Sequence, residues 1–567
     1  MVHIFFISKY KALLLYHFMH RLKTILRKID GRGYKAYKLL EGKYDYGNYA
    51  LFIDHVQGDP FAPPSRLHIE IDFEKSGFPP LFVKIHKTAF EDFLNRRFYE
   101  IARKGSKKRG SGNGGMIIVQ KPSQCIIRRD SIEVNEKIVA RFFVGLPAYG
   151  RKIAGKEAKE LLLHDLPYVI ERSLFFKHHS YEEIEEHVRV AEDADFIRKQ
   201  LSKNKLVAFI ANNSILPRKS GVEDKPLKNA IRFKSPESME VEFDCPNRKI
   251  KGMGIPEGIT LIVGGAYHGK STLLDAIAMG VYNHVPGDGR EFVITRDDAV
   301  KIRAEDGRYI NNVCIYPLIS DLPDGSDSRN FSTDNASGST SQAANIMEAL
   351  EIGSRLLLID EDTSATNLMM RDRKMQELVP KEKEPITPII DMMSVFRKMG
   401  VSIIMIASGM GEYFDVADNV IMMDKYIARD VTPKAKEIAE KIKSNRIKEA
   451  PREIVIKNRI ALKESIRKAM GAKKKIKVSE KNKIRFGKTI IDLVCIEQIA
   501  EIGQTYAIAE ILTRLPCKNC IKDELLVQNF LSMLPPKGIY GEPRKYEVVA
   551  ALNRLRGVKF QNCMPAN

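Results

Sequence analysis

Between Gly258 and Tyr282 the chain reads GITLIVGGAYHGKSTLLDAIAMGVY. Ile259–Val263 is a short apolar run of the kind that forms a buried strand, and Thr272–Gly280 has the composition of a helix. The loop between them holds Gly264-x-x-x-x-Gly269-Lys270-Ser271. This is the spacing of a phosphate-binding loop, in the strand–loop–helix setting such a loop needs. Glycines let the backbone curl until its N–H groups converge on phosphate. The helix start adds partial positive charge. Lys270 can reach the terminal phosphates, and the Ser271 hydroxyl can ligate Mg²⁺. The expected nucleotide contacts are therefore Gly264, Gly265, Ala266, Tyr267, His268, Gly269, Lys270, Ser271 and Thr272. His268 either touches a phosphate or fills a tolerated position.

A loop of this type works with an acidic residue at the end of a second buried strand. RLLLIDEDTSATN (Arg355–Asn367) supplies one. Asp360 closes an apolar run and can hold Mg²⁺ through water. Glu361 follows and can orient or polarise an attacking water; the alternative is a purely supporting role. Asp362 is one residue too far to share the task.

TDNASGSTSQAANIMEALE (Thr333–Glu351) has the Ser/Gly composition of a flexible linker, yet it lies about 20 residues before Asp360 and runs straight into helical spacing. Small residues at a helix start allow backbone to approach phosphate closely. ASGSTSQA resembles the Leu-Ser-Gly-Gly-Gln signature of ATP-binding-cassette (ABC) ATPases, with Ser339 at the second Gly. That resemblance implies that Ser337, Gly338, Ser339 and Gln342 contact ATP held by another chain. TSATN (Thr363–Asn367) resembles the loop that crosses the dimer interface in the same class.

The resemblance sharpens over GMGIPEGITLIVGGAYHGKSTLL, NHVPGDGREFVIT, KIRAEDGR, ASGSTSQAANIMEALE and LLLIDEDTSATNLMMRDRKMQ. IDGRGYKAYKLLEGKY and ARFFVGLPAYGRKIAG extend it towards the N-terminus. Together these stretches are similar to the predicted ATPases of the ABC class, over roughly residues 22–565. That family includes a trypanosome mitochondrial member associated with RNA editing. It implies an α/β ABC-type P-loop core between an N-terminal α+β, RNA-contacting domain and a small helical C-terminal domain. It also implies ATP and Mg²⁺ as cofactors and an ATP-sandwich homodimer.

Two features depart from ordinary ABC ATPases. Ser408-Gly409, in the strand stretch VSIIMIASGMGEYFDVAD (Val401–Asp418), stands where a histidine is expected. A Ser408 hydroxyl can hydrogen-bond the γ-phosphate or water but carries no proton charge at neutral pH, so slow turnover is expected. No clear Gln loop is visible; Ser320 or Asp321 in PLISDLPDG is the nearest substitute. KIRAEDGRYI (Lys301–Ile310) reads either as an ion-pair network or as a nucleotide-responsive loop. Only about 68 residues separate Lys270 from Gly338, too few for the long arm of a DNA-repair clamp.

The 567 residues carry a net charge of +20, which favours anionic partners, although a lysine-rich surface tuned for solubility gives the same number. Residues 434–488 hold 20 Lys and Arg against 6 Glu and no Asp, a net of +14. A second basic stretch lies in ARKGSKKRGSGNGGMIIV (Ala102–Val119), read either as a mobile hairpin or as a phosphate-contacting loop. The expected RNA contacts are Lys107, Lys108, Arg109, Lys473, Lys474 and Lys475. Seven scattered cysteines suit reduced thiols. Cys517-x-x-Cys520, with Cys563 as a third ligand, lacks the fourth ligand of a zinc site. The apolar N-terminus is interrupted by Lys9 and Lys11, so no membrane span is expected and a cytoplasmic protein is. Composition shifts suggest an extension over 1–21, an N-terminal domain over 22–235, the ATPase core over 236–432, a basic segment over 433–489 and a C-terminal domain over 490–567. The expected activity is slow ATP hydrolysis coupled to clamping or remodelling RNA; the alternative is a nucleotide-switched scaffold with little or no hydrolysis.

Overall fold

The protein is described here by a computed structural model, in which residues 21–221, 223–449, 451–472, 475–525 and 529–563 are described. The expected extension over 1–21 thus falls, apart from Arg21, outside the described residues. The chain forms two compact units. One is Met1–Arg189 with Leu534–Glu542; the other is Val190–Met533 with Pro543–Asn567.

The first unit is built on an antiparallel sheet. Its strands are β1 (Gly42–Asp45), β2 (Ala50–His55), β3 (Ser65–Asp72), β4 (Ile117–Ile118), β5 (Ile132–Val134) and β6 (Lys137–Val144), in the order β1-β2-β3-β6-β4 with β5 also paired to β6. β3 shows why one face is buried: Leu67, Ile69 and Ile71 point inward while Arg66, His68 and Glu70 alternate outward. The long helix α1 (Leu81–Gly105) packs on the inner face, where Phe98 meets Phe142 of β6 edge-on at 5.3 Å.

The second unit opens within the helix α2 (Tyr181–Lys203). β7 (Leu206–Ala211) then joins β8 (Glu240–Asp244), β9 (Lys249–Pro256) and a later strand in an antiparallel sheet. The sequence-based boundary at 235/236 is therefore displaced to 189/190: β7 is buried at every position and hydrogen-bonds to strands of the nucleotide-loop half. β10 (Ile259–Val263) leads into α3 (Lys270–Met279), and β11 (Val293–Thr295) completes the antiparallel sheet beside β7.

A second sheet completes this unit's core. β12 (Ala299–Ile302) is followed by the hairpin β13 (Arg308–Val313) and β14 (Phe331–Ala336), then by α4 (Gly338–Glu351) and β15 (Leu356–Asp360). Next come α5 (Ile389–Lys398), β16 (Ser402–Ile406), β17 (Asn419–Asp424) and β18 (Ile427–Asp430). The strand order is β12-β15-β16-β10-β17-β18, parallel except for β17–β18. Leu357, Ile359, Ile403 and Met405 share one core with α4 and α5, while α3 lies against β15 and β16. Their near-continuous apolar strands follow from burial on both faces.

The basic stretch 433–489 folds rather than forming a tail. It contains α6 (Thr432–Lys441), β19 (Arg459–Ala461) and α7 (Lys463–Met470). β20 (Ile476–Glu480), β21 (Lys483–Phe486) and β22 (Thr489–Asp492) make an antiparallel sheet that lies mostly within the expected basic segment. α8 (Ile502–Arg514), α9 (Lys545–Arg554) and β23 (Phe560–Asn562) follow, with β23 paired to β19.

The expectation of uniformly reduced thiols is corrected here. Cys520 and Cys563 form a disulfide with Cα atoms 6.1 Å apart, and the other five cysteines are free. β23 pairing with β19, and the Cys563 N–H donated to Asn458 O at 2.8 Å, return this segment to the turn that begins at Cys520. No cluster of three or more potential metal ligands occurs among the described residues. Nor is any helix among them long and apolar enough to cross a membrane.

Candidate functional site

Three loops leave neighbouring strands at one level. Ile262 of β10 and Asp360 of β15 both stand in register with Ile406 of β16. The glycine loop, Asp360-Glu361 and Ser408-Gly409 therefore emerge side by side at the carboxyl edge of the sheet, where open α/β sheets bind ligands.

The glycine loop is shaped by its backbone. Gly264 has φ 136°, and a Cβ there would collide with the Met423 carbonyl oxygen. Gly269, at φ 99°, precedes α3, whose first turn carries Lys270, Ser271 and Thr272. Lys270 folds back over the loop, its Nζ donating to Gly264 O and Gly265 O at 2.9 Å each. Tyr267 is also left-handed, at φ 63°, and is 94% exposed.

His268 is committed to a turn that the sequence reading missed. Its Nδ1 accepts the Lys425 N–H at 3.2 Å, and its carbonyl accepts the Tyr426 N–H at 3.1 Å. Lys425 and Tyr426 occupy φ 47° and 69°, and the Tyr426 ring packs beside Gly269. No Gly or Asn marks this hairpin turn in the sequence, so pattern offered no signal for it. Through these two bonds His268 braces the loop against the β17–β18 hairpin.

Asp360 ends β15 at 5% exposure, and its Oδ1 accepts the Asp362 N–H at 3.2 Å. Burial pushes its carboxyl up; the hydrogen bond from the Asp362 N–H opposes this, the Asp362 carboxylate adds to it, and Lys301 opposes it. A carboxylate oxygen and the Ser271 hydroxyl are the hard oxygen donors that suit Mg²⁺, which takes its remaining ligands from phosphate and water. Glu361 Oε2 accepts the Ser408 N–H and, at 3.2 Å, the Gly409 N–H. The structure thus joins Glu361 to Ser408 through the backbone amide, a contact the side-chain reading of Ser408 did not foresee.

The Ser/Gly stretch is a helix start. Ser337 caps α4, its Oγ accepting the Thr340 N–H at 3.4 Å. Ser337 is exposed, and Gly338, Ser339 and Thr340 are partly exposed. Gln342 requires correction as a nucleotide contact. It is fully buried, its Oε1 accepting the Ala365 N–H at 2.8 Å and its Nε2 donating to Ser364 Oγ at 3.0 Å. Counted from Ser337, the position of the signature Gln falls instead on Thr340, two residues nearer the helix start.

Lys301–Ile310 is an ion-pair network. Glu305 accepts from Arg554 Nε at 3.0 Å and from Asn345 at 3.0 Å, Arg308 pairs with Glu348, and Arg303 pairs with Glu497 at 2.6 Å. Burial opposes the ionised form of Glu305, but the Arg554 guanidinium overrides it and lowers this carboxyl to about 2. The loop is tied to α4 by the Glu305 N–H donated to Ser341 Oγ at 2.8 Å. It is tied to the post-Asp360 segment by the Ala304 N–H donated to Thr363 O at 2.9 Å. Ser320 is buried, while Asp321 faces solvent near Arg452 at 3.7 Å.

The basic residues divide. Lys107, Lys108 and Lys475 are exposed, and Lys473 and Lys474 lie outside the described residues. Arg109 is withdrawn from the expected RNA contacts: its guanidinium pairs with Asp165 and, at 3.1 Å, with Glu157. Part of the +14 segment is likewise neutralised from outside it. Arg446 pairs with Asp391, and Arg459 with Glu351 at 2.6 Å, all four side chains being nearly inaccessible.

Three family models match the chain in succession. An N-terminal domain of ATPases of the ABC class matches residues 19–177, the P-loop domain of ABC ATPases matches 180–459, and the MRB1590 C-terminal domain matches 475–561. The uncharacterized protein MJ1628 of Methanocaldococcus jannaschii is 35% identical over 191 residues, covering 31% of this chain and 41% of that protein. The match thus spans about two fifths of that relative's length. Among solved structures, cbiO1 from Clostridium perfringens, part of an ABC transporter complex, is 15% identical with a TM-score of 0.25, covering 42% of this chain and 92% of that one. MJ1267, an ATP-binding cassette in its ADP conformation, is 11% identical with a TM-score of 0.23, covering 42% and 96%.

Proposed function

We propose that this chain, which belongs to the family of ABC-class ATPases, binds ATP with Mg²⁺, closes as a head-to-tail homodimer around two ATP molecules, hydrolyses them slowly, and uses that cycle to clamp or remodel RNA. The observation that carries the proposal is the shared level of the glycine loop, Asp360-Glu361 and Ser408-Gly409 on three adjacent strands.

In this mechanism the amides of the glycine loop and the Lys270 ammonium bind the phosphates. Ser271 and Asp360 would hold Mg²⁺, which when bound neutralises phosphate charge and orients the terminal group. Ser337, Gly338 and Ser339 would meet the γ-phosphate bound by a second copy through the N–H groups at the start of α4. Glu361, steadied by the Ser408 and Gly409 amides, orients the attacking water and accepts its proton. Ser408 replaces an imidazole, so the γ-phosphate has no titrating partner there, and turnover is slow. RNA contact rests on the exposed Lys107, Lys108 and Lys475 together with the basic excess of the chain, and affinity should fall steeply with salt.

The serine at position 408 also favours a second function, a nucleotide-switched scaffold with little or no hydrolysis. Steady-state phosphate release decides between them. Turnover of the intact protein clearly above that of Glu361→Gln, at equal ATP occupancy, is the expected result. Equal rates would leave only the switch.

A further inference from the structure

The Gly-rich basic loop after α1 is fixed against two other loops of its own unit. The Ser111 N–H donates to Ala148 O at 2.7 Å, and the Gly150 N–H donates to Ser111 Oγ at 3.0 Å. Gly112, at φ 58°, lies so close to the Pro60 carbonyl that any side chain would collide with it. The third side is an ion pair: Arg151 Nε donates to Asp59 Oδ2 at 2.8 Å, while Asp59 Oδ1 accepts the Phe61 N–H at 3.0 Å. The turn Asp59–Phe61, the loop Lys107–Gly115 and the hairpin Ala148–Lys152 are thus cross-tied.

This triangle presents two large aromatic side chains to solvent. Phe61 is 70% exposed and Tyr149 is 64% exposed. Beside them, Lys107, Lys108 and Lys152 are exposed and enter no ion pair among the described residues. A lone exposed aromatic is ordinary. Two of them on adjacent, mutually braced loops, interleaved with three unpaired ammonium groups, have the make-up of a single-stranded nucleic-acid platform: flat faces for bases and cations for the phosphates between them. A protein-docking patch would instead gather contiguous apolar surface with few lysines.

We propose that Phe61 and Tyr149 stack bases of a single-stranded RNA segment, with Lys107, Lys108 and Lys152 neutralising its phosphates. Stacking of this kind is tolerant of sequence, since every base offers a π-face. The unpaired bases of a loop or strand can splay onto the rings, whereas duplex RNA keeps its bases stacked on each other. The proposal rests on the RNA reading of the preceding subsection and names its site.

The test is fluorescence anisotropy with the full chain, a labelled oligouridine and a labelled RNA duplex, over a salt series. The double variant Phe61→Ala/Tyr149→Ala should weaken oligouridine binding by about 10-fold or more, with the salt slope kept and duplex binding little changed. Lys107→Gln/Lys108→Gln should instead flatten the slope of log K against log salt by about 1.4. Both variants change solvent-facing side chains, and an unchanged thermal midpoint verifies folding. If the intact protein binds oligouridine and the aromatic variant binds it equally well, the stacking site is wrong while the RNA function stands. If the intact protein binds neither RNA, both fall together. Unchanged RNA affinity with an altered sedimentation coefficient in the aromatic variant would assign the patch to a protein partner and overturn the proposal.

Discussion

Replacing Gln342 by leucine should disconnect the start of α4 from the catalytic strand. Gln342 is fully buried, and both ends of its amide are occupied, by the Ala365 N–H at 2.8 Å and by Ser364 Oγ at 3.0 Å. Ser364 Oγ in turn donates to Asp360 O at 2.8 Å. A three-residue chain of hydrogen bonds thus runs from the signature-like helix to the end of β15. Leucine is close in volume, so no large cavity forms, but the Ala365 N–H loses its acceptor and Ser364 loses its donor. A stranded donor costs about 1–3 kcal/mol and a lost hydrogen bond about 1 kcal/mol, together about 2–4 kcal/mol. At roughly 2–4 °C per kcal/mol for a large domain, the thermal midpoint should fall by roughly 4–16 °C. Glu361 lies three residues before Ser364, so a misplacement of about 1 Å should reduce turnover by up to about 100-fold while ATP affinity stays near that of the parent.

Gln342→Glu separates loss of the bridge from loss of shape. A protonated glutamate can accept the Ala365 N–H and donate to Ser364, as glutamine does. Its ionised form places a charge in a fully buried site, so the folded-state pKa is raised above the unfolded value of about 4.3. The variant should therefore be near parental stability below pH about 4.3 and lose it as pH rises through the folded-state pKa. Thermal melts across pH, phosphate release and binding of a fluorescent ATP analogue measure all three effects. Parental melting and parental turnover in Gln342→Leu would refute the bridge, and so would a Gln342→Glu deficit independent of pH.

Ser339→Phe places a ring at the start of α4 and should abolish ATP-driven dimerisation while the monomer still binds ATP; sedimentation velocity with and without ATP reads this directly. Glu305→Gln removes a carboxylate whose folded-state pKa, about 2, lies below the unfolded value of about 4.3. The stability it supplies is present above pH about 4.3 and is lost as pH falls towards 2, so the variant should be weaker by about 3 kcal/mol at neutral pH and show a flatter acid limb in denaturant titrations. Cys520→Ser opens the disulfide spanning 43 residues and should lower stability by about 4 kcal/mol if chain entropy governs; reductant should then shift the parent's melt and leave the variant's unchanged.

What the sequence revealed and what it hid differ in physical kind. The P-loop was legible because backbone geometry demands particular residues there: Gly264 and Gly269 occupy positive φ, and Gly264 lies against the Met423 carbonyl. The β15 strand was legible because burial on both faces demands an unbroken apolar run ending at Asp360. Neither constraint reaches the Lys425-Tyr426 turn. Those residues adopt left-handed conformations without glycine, held by His268, 157 residues away along the chain. Gln342 shows the same gap from the other side. Its type matches the signature, but a turn of helix separates position 342 from the exposed helix start, and a buried amide can serve only neighbours such as Ala365 and Ser364.

Charge misled for a related reason. A count over 434–488 treats every Lys and Arg as available, yet Arg446 and Arg459 are neutralised by Asp391 and Glu351, which lie outside the counted segment. Arg109 likewise looks like part of a basic loop until Asp165, 56 residues later, claims it. Net charge along a sequence is a local sum, whereas the field a partner meets is set by which charges remain unpaired after folding. The guanidinium groups of Arg109, Arg446 and Arg459 are drawn into carboxylate pairs, as their forked geometry favours, and the ammonium groups of Lys107, Lys108 and Lys475 stay in water. An RNA partner would therefore be held chiefly through lysine, whose compact charge contacts phosphate without the bidentate geometry that reads a base edge. The expected binding is thus strong in its salt dependence and weak in its sequence preference, and comparing oligouridine with oligoadenosine at matched salt measures that directly.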